Sequence, residues 1–89
     1  MSLTTHYLYF RNLNSAREAE AVVRERSLET VVEEAALGDD WALLVSSSVG
    51  KLAAEFDAER NFLEGVARRF SGEYDGWETA VGAGGVERG

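Results

Sequence analysis

The chain has 89 residues, of which 45% are hydrophobic and 28% charged, and it carries a formal net charge of −7 at pH 7. This length supports one core and one domain, and the lack of cysteine excludes disulfides, thiolate metal sites and cysteine nucleophiles. An acidic surface repels phosphates, so direct nucleic-acid binding is disfavoured and a basic protein segment is the favoured partner. The start of the chain lacks the pattern of a signal peptide, and no apolar run approaches the ~20 residues that cross a bilayer, so we expect a cytoplasmic protein without membrane contact.

The first half of the chain predicts a strand, a helix and a hairpin. Ser15 and Glu18 have the spacing of a capping box, which predicts the start of the helix. A turn is predicted around Gly38, between two runs that are rich in β-branched and aromatic residues. The predicted elements are a strand at 5–11, a helix at about 16–26, and strands at 28–36 and 41–47.

The second half predicts one long helix and one strand. Apolar residues at helical spacing share one face of a predicted helix at about 49–70: Leu52, Phe56, Leu63, Val66 and Phe70. Ser71 and Gly72 predict the end of this helix, because glycine takes the left-handed conformation at a helix C-terminus without a steric clash. A strand at about 74–81 follows. The glycine-rich residues 82–89 predict a flexible tail beyond a single domain of residues 1–81.

The order of these elements is βαββαβ. The sequence therefore predicts an α+β, ferredoxin-like sandwich, in which a four-stranded antiparallel sheet carries two helices on one face.

One short motif separates the long helix from the last strand: Tyr74, Asp75, Gly76 and Trp77. This motif, together with the order of elements from about Thr5 to Val81, resembles the regulator of ribonuclease activity B family, small bacterial inhibitors of the endoribonuclease ribonuclease E. The resemblance implies the same fold. It also implies a non-catalytic regulator of RNA degradation that binds the scaffold region of ribonuclease E, lowers RNA cleavage and needs no cofactor.

The candidate partner-binding residues are three aromatic residues and one carboxylate: Tyr7, Tyr9, Trp41 and Glu78. Tyr7 and Tyr9 alternate with Leu8 and Phe10, so they are expected on the sheet face that the helices leave open. Tyrosine and tryptophan are frequent anchors in protein interfaces. Trp41 is placed beside the tyrosines only if its strand presents that side, since Trp41, Leu43 and Val45 form the more apolar set of the strand. Trp77 is expected to face the helices, and Glu78 to face outward.

Glu59 and His6 are the candidates for an enzymatic alternative, a dimeric ferredoxin-like ligand-binding domain or monooxygenase. Glu59 falls within the apolar face of the long helix, where burial would favour a protonated general acid, with His6 as its partner. The structural interpretation is that Glu59 reaches solvent or pairs with a base, and that His6 is a satisfied buried residue. No recognisable spacing of metal ligands accompanies them. A third alternative is a homodimer formed through the open aromatic face.

Overall fold

The computed structural model describes residues 4–36, 38–50, 52–81 and 85–89. The described residues form five strands and two helices. They are β1 (Thr4–Phe10), α1 (Leu13–Arg24), β2 (Glu29–Glu34), β3 (Trp41–Ser47), α2 (Phe56–Arg69), β4 (Glu73–Val81) and β5 (Gly85–Arg88).

The strands form one antiparallel sheet in the order β2-β3-β1-β4-β5. The fold is α+β, and the predicted order βαββαβ is followed by a fifth strand. The prediction of a four-stranded sheet was therefore wrong. β5 lies where the sequence predicted a flexible tail, and residues 82–84 of that tail lie outside the described residues. Two further hydrogen bonds extend the pairing of β5 with β4. The Trp77 and Gly89 N–H groups each donate to the other residue's carbonyl at 3.0 Å.

Both helices pack on one face of the sheet and enclose a single core. Alternate residues of β1 point into it, so that Leu8 and Phe10 are almost fully buried. The other members come from α1, β3 and α2: Ala16, Ala19, Val23, Leu43, Val45, Leu63, Val66 and Ala67. The alanines of α1 are small, which lets this helix approach the sheet closely.

Helix α1 begins three residues earlier than the sequence predicted. Its N-cap is Asn12, whose side-chain oxygen accepts a hydrogen bond from the Ser15 N–H at 2.8 Å. Asparagine is as good an N-cap as serine. The predicted capping box of Ser15 and Glu18 was therefore wrong, because Ser15 already lies inside the helix.

Helix α2 begins later than predicted, at Phe56 instead of residue 49. Two tight turns precede it, in which the Ala53 N–H bonds to the Gly50 carbonyl and the Phe56 N–H bonds to the Ala53 carbonyl. Leu52, which was expected on the buried face, is 93% exposed. Of the other predicted members of that face, Phe56, Leu63 and Val66 are buried, and Phe70, at the end of the helix, is partly buried against the core.

The end of α2 is a Schellman motif with a serine in the position that favours glycine. The Gly72 N–H bonds to the Ala67 carbonyl at 2.7 Å, and the Ser71 N–H bonds to the Arg68 carbonyl at 3.2 Å. Ser71, with φ of 60°, is the left-handed residue. Gly72 is needed for a different reason, since a Cβ there would lie 2.6 Å from the Tyr9 carbonyl oxygen and would also meet the Phe10 ring.

Replacing Gly65 with alanine is expected to stabilise the protein. Gly65 is exposed in the middle of α2, and an added Cβ would meet no heavy atom within 4 Å. Alanine in a helix interior is more favourable than glycine by about 0.5–1 kcal/mol. Urea unfolding of Gly65→Ala should show a higher midpoint with an unchanged slope. An unchanged or lower midpoint would contradict this expectation.

Candidate protein-binding face of the sheet

The face of the sheet away from the helices, called the open face below, is built from three rows of side chains that cross the strands. Strand register fixes the members of each row. The central row is Val31, Leu44, Tyr7 and Gly76. One flanking row is Glu29, Ser46, Thr5, Glu78 and Arg88. The other flanking row is Glu33, Ala42, Tyr9 and Glu73.

The central row is apolar except for one hydroxyl, and each flanking row carries two glutamates. Val31 is 55% exposed, which is high for a valine in a sheet. Glutamates occupy β2 and β4 on both sides of the central row: Glu29, Glu33, Glu73 and Glu78. Arg88 is the one cation in these rows. The open face is therefore an apolar stripe between two acidic borders.

A cleft of about 390 Å³ lies at the β4 end of the central row, with Tyr7, Tyr9, Asp75 and Arg88 among its lining residues. Gly76 and Gly89, which have no side chains, also line it. Asp75 is an extra residue in β4, since Tyr7 pairs with Gly76 and Leu8 pairs with Tyr74. The cleft thus places two aromatic rings beside an exposed carboxylate.

Glu78 holds one wall of this cleft in place. Its carboxylate pairs with the Arg88 guanidinium at 2.7 Å. Burial raises the pKa of Tyr7, and the negative charge of Glu78 raises it further. Tyr7 is therefore protonated at neutral pH.

Tyr7, Tyr9 and Glu78 lie together on the open face, but Trp41 does not join them. Trp41 pairs with Phe10 on the side of the helices and packs against the core. The expected placement of Trp41 beside the tyrosines was wrong. The more apolar alternation of β3, that of Trp41, Leu43 and Val45, faces inward, because that is the side on which burial removes most apolar surface from water.

The motif at residues 74–77 divides between the two faces. Tyr74 and Trp77 point toward the helices, as expected for Trp77, whose ring meets Phe56 edge-on with centroids 5.2 Å apart. Asp75 and Gly76 belong to the cleft of the open face. Two residues of the motif, Tyr74 and Trp77, therefore anchor β4 to the core, and the other two, Asp75 and Gly76, line the cleft.

His6 is fully buried and is bonded to a residue of this motif. Its Nδ1 lies 2.7 Å from the Tyr74 hydroxyl, while its Nε2 has no hydrogen-bond partner in the described part of the chain. Burial, with a smaller contribution from the positive charge of Arg60, lowers the pKa of His6 to about 4. Burial likewise raises the pKa of Tyr74. Both side chains are neutral at pH 7.

Glu59 and His6, the pair of the enzymatic alternative, are hydrogen-bonded to different side chains in the structure. The Glu59 carboxylate accepts a hydrogen bond from the Ser47 hydroxyl at 2.7 Å, and the same hydroxyl accepts from the Val49 N–H. Glu59 therefore ties the start of α2 to the end of β3. Within residues 4–36, 38–50, 52–81 and 85–89, no three His, Cys, Asp or Glu side chains form a group that could hold a metal ion.

Several residues of the open face were missed from the sequence: Glu29, Val31, Glu33, Leu44 and Arg88. The alternation of Glu29, Val31 and Glu33 could have placed these three on one side of β2. Their meeting with Tyr7 depends on the order of strands, which local patterns do not contain. Arg88 was missed because its segment was assigned to a tail.

The fold is that of a small α+β domain, and the side of its sheet away from the helices is an acidic face that carries two tyrosines. The sequence model of the family described as regulator of ribonuclease activity B matches residues 3–79. The chain belongs to that family, and the family's function is the regulation of ribonuclease activity. Neither a curated protein nor a solved structure matches the chain. No helix in the described part of the chain is both long and apolar enough to cross a membrane.

Proposed function

We propose that this protein binds and inhibits the endoribonuclease ribonuclease E through protein–protein contact, without catalysis of its own. The family supplies the regulation of ribonuclease activity. The observation that supports binding of a protein segment is the open face, where Tyr7 lies between two acidic borders and Tyr9 lies within one of them. Such a face attracts a basic segment and repels RNA. The proposed site of action is the cytoplasm.

The acidic borders also support a mechanism for specificity. Glu29, Glu33 and Glu73 are exposed and have no ion-pair partner among the described residues. Their charges remain available to steer a basic scaffold segment of the ribonuclease. The tyrosine rings would then supply contact area at low cost in side-chain entropy. Binding should weaken as salt is raised, because exposed charges are screened within about 8 Å at physiological ionic strength.

Replacing Tyr7 and Tyr9 with alanine is expected to weaken binding to the scaffold region of ribonuclease E by about tenfold or more, since buried aromatic anchors dominate interface energy. Calorimetric titration at low and physiological salt measures this directly. An RNA-cleavage assay with the same variants should show a matching loss of inhibition. Leu52→Ala is the control, because Leu52 is exposed and lies outside the open face.

Unchanged affinity in the tyrosine variants would show that the open face is not the binding site. Absence of binding by the unmodified protein at either salt would reject inhibition of ribonuclease E by this route. Thermal unfolding of each variant separates loss of binding from loss of fold.

A further inference from the structure

We propose that the open face binds a basic amphipathic helix that lies across the strands, with its apolar side on the central row and its Lys or Arg side chains on the two acidic borders. This inference rests on the proposed function in taking the partner to be a segment of ribonuclease E. It adds the conformation, direction and side-chain pattern of that segment.

The orientation of the central row indicates how the bound helix lies relative to the strands. Val31, Leu44 and Tyr7 come from three adjacent strands, so the apolar stripe runs perpendicular to the strands. In the aligned class of sheet packing, an extended segment lies within about 30° of the strand direction. Such a segment would cross the acidic borders and leave most of the stripe uncovered. A helix that lies along the apolar stripe covers its three side chains and leaves both acidic borders accessible.

The dimensions match a helix. Glu29 and Glu33 are four residues apart on one strand, which places the two acidic borders about 13 Å from each other. A helix with its side chains is about 10–12 Å across, so it fits between the borders. Three strand spacings separate β2 from β4, about 14 Å, which corresponds to about nine helical residues.

The glutamates of the two borders favour a helix with basic side chains on both flanks. A helix with apolar residues at i, i+3 or i+4 and i+7 covers Val31, Leu44 and Tyr7, and its flanks point toward both borders. Basic residues on those flanks meet carboxylates on each side. The last apolar residue of such a helix reaches the cleft beside Gly76, which has a volume of about 390 Å³. A second copy of this chain is disfavoured, because it would oppose one acidic face to another.

The test uses two valines of equal exposure. Val31, on the central row, is 55% exposed, and Val86, on the same face but one row beyond Glu78 and Arg88, is 57% exposed. Val31→Asp is expected to weaken binding of the scaffold region by about tenfold or more, as loss of a buried valine contact does. Val86→Asp is expected to change affinity less than about twofold. Circular dichroism of the complex should show helix content above the sum of the separate components.

Charge reversal gives a second measurement if Val31→Asp fails to fold. Glu29→Lys with Glu33→Lys should weaken binding and reduce its dependence on salt. Glu18→Lys with Glu25→Lys is the matched control, because both residues are exposed and lie at α1, on the side of the helices. A synthetic peptide of 14 residues, with leucines at helical spacing flanked by lysines, serves as an independent probe beside a scrambled peptide of equal composition.

The outcomes separate the two proposals. Scaffold binding that is insensitive to Val31→Asp and to the glutamate reversals, or that brings no gain in helix content, overturns this inference and leaves the proposed function standing. Binding of the amphipathic peptide but not of the scaffold region supports this inference and rejects the proposed partner. Binding of neither probe, or equal binding of the scrambled peptide, overturns the inference. Self-association through the open face, lost in Val31→Asp, would make a second copy the occupant and also overturn it.

Discussion

Acidification from pH 7 to pH 4 is expected to lower the free energy of unfolding by about 3 kcal/mol through His6 alone. The folded pKa of His6 is about 4, against 6.5 for an unperturbed histidine, and each unit of difference corresponds to about 1.4 kcal/mol. The unfolded chain takes up a proton as the pH falls through 6.5, whereas the folded chain does not until about pH 4. The contribution is therefore complete above pH 6.5 and is lost progressively below it, with about 2 kcal/mol lost by pH 5.

Two measurements check this expectation. His6 is the only histidine, so its ring signals in a proton NMR titration report its pKa without ambiguity. Urea unfolding between pH 7 and pH 5 gives the stability change in a range where most carboxylates stay ionised. His6→Gln is the control, because glutamine keeps a hydrogen-bonding group near Tyr74 but does not titrate. An equal loss of stability in His6→Gln, or titration of the His6 ring near pH 6.5, would show that His6 does not cause the loss of stability at low pH.

Replacing Gly76 with alanine is expected to destabilise the protein by roughly 2–4 kcal/mol, from backbone strain and lost hydrogen bonds together. Gly76 has φ of 136°, which side chains rarely tolerate, and an added Cβ would collide with the Gly89 carbonyl. The collision would push β5 away from β4 and break the two bonds between Trp77 and Gly89. Gly65→Ala is the matched control, with the opposite expected sign.

Chemical unfolding measures the size of this effect, and hydrogen exchange locates it. The Trp77 and Gly89 amides should exchange faster in Gly76→Ala, while amides in the middle of α2 should change only by the global loss of stability. Exchange that is unaltered at Trp77 and Gly89 would show that β5 adapts to the added methyl group. A stability equal to that of the unmodified protein would show that the strain at Gly76 is small.

Local patterns were sufficient for most of the elements. Alternating polarity predicted β1 and the placement of Leu8 and Phe10 in the core, and helical spacing predicted that Phe56, Leu63 and Val66 are buried. These predictions succeed because burial of apolar surface follows the period of each element. The boundaries were less well predicted. Asn12 and Ser15 are both acceptable caps, and only the packed helix distinguishes between them.

The candidate site was predictable only in part. Tyr7, Tyr9 and Glu78 were placed on one face by alternation and by the polarity of their neighbours. Trp41 was left ambiguous, because both sides of β3 carry apolar residues, and packing against the helices placed it on the inner side. Whether any of these residues binds a partner stays a prediction.

The sequence by itself determined the acidic balance, the succession of strands and helices, and the motif at residues 74–77 through which the family was identified. The net charge is a sum over residues, and the elements and the motif depend on neighbouring residues, so all three can be read from the sequence without knowledge of the fold. The tertiary structure alone decided that His6 meets Tyr74 across 68 positions of the chain, that β5 joins the sheet, and that Val31, Leu44 and Tyr7 form one row. Each depends on strand order and register, which are settled by packing between distant segments.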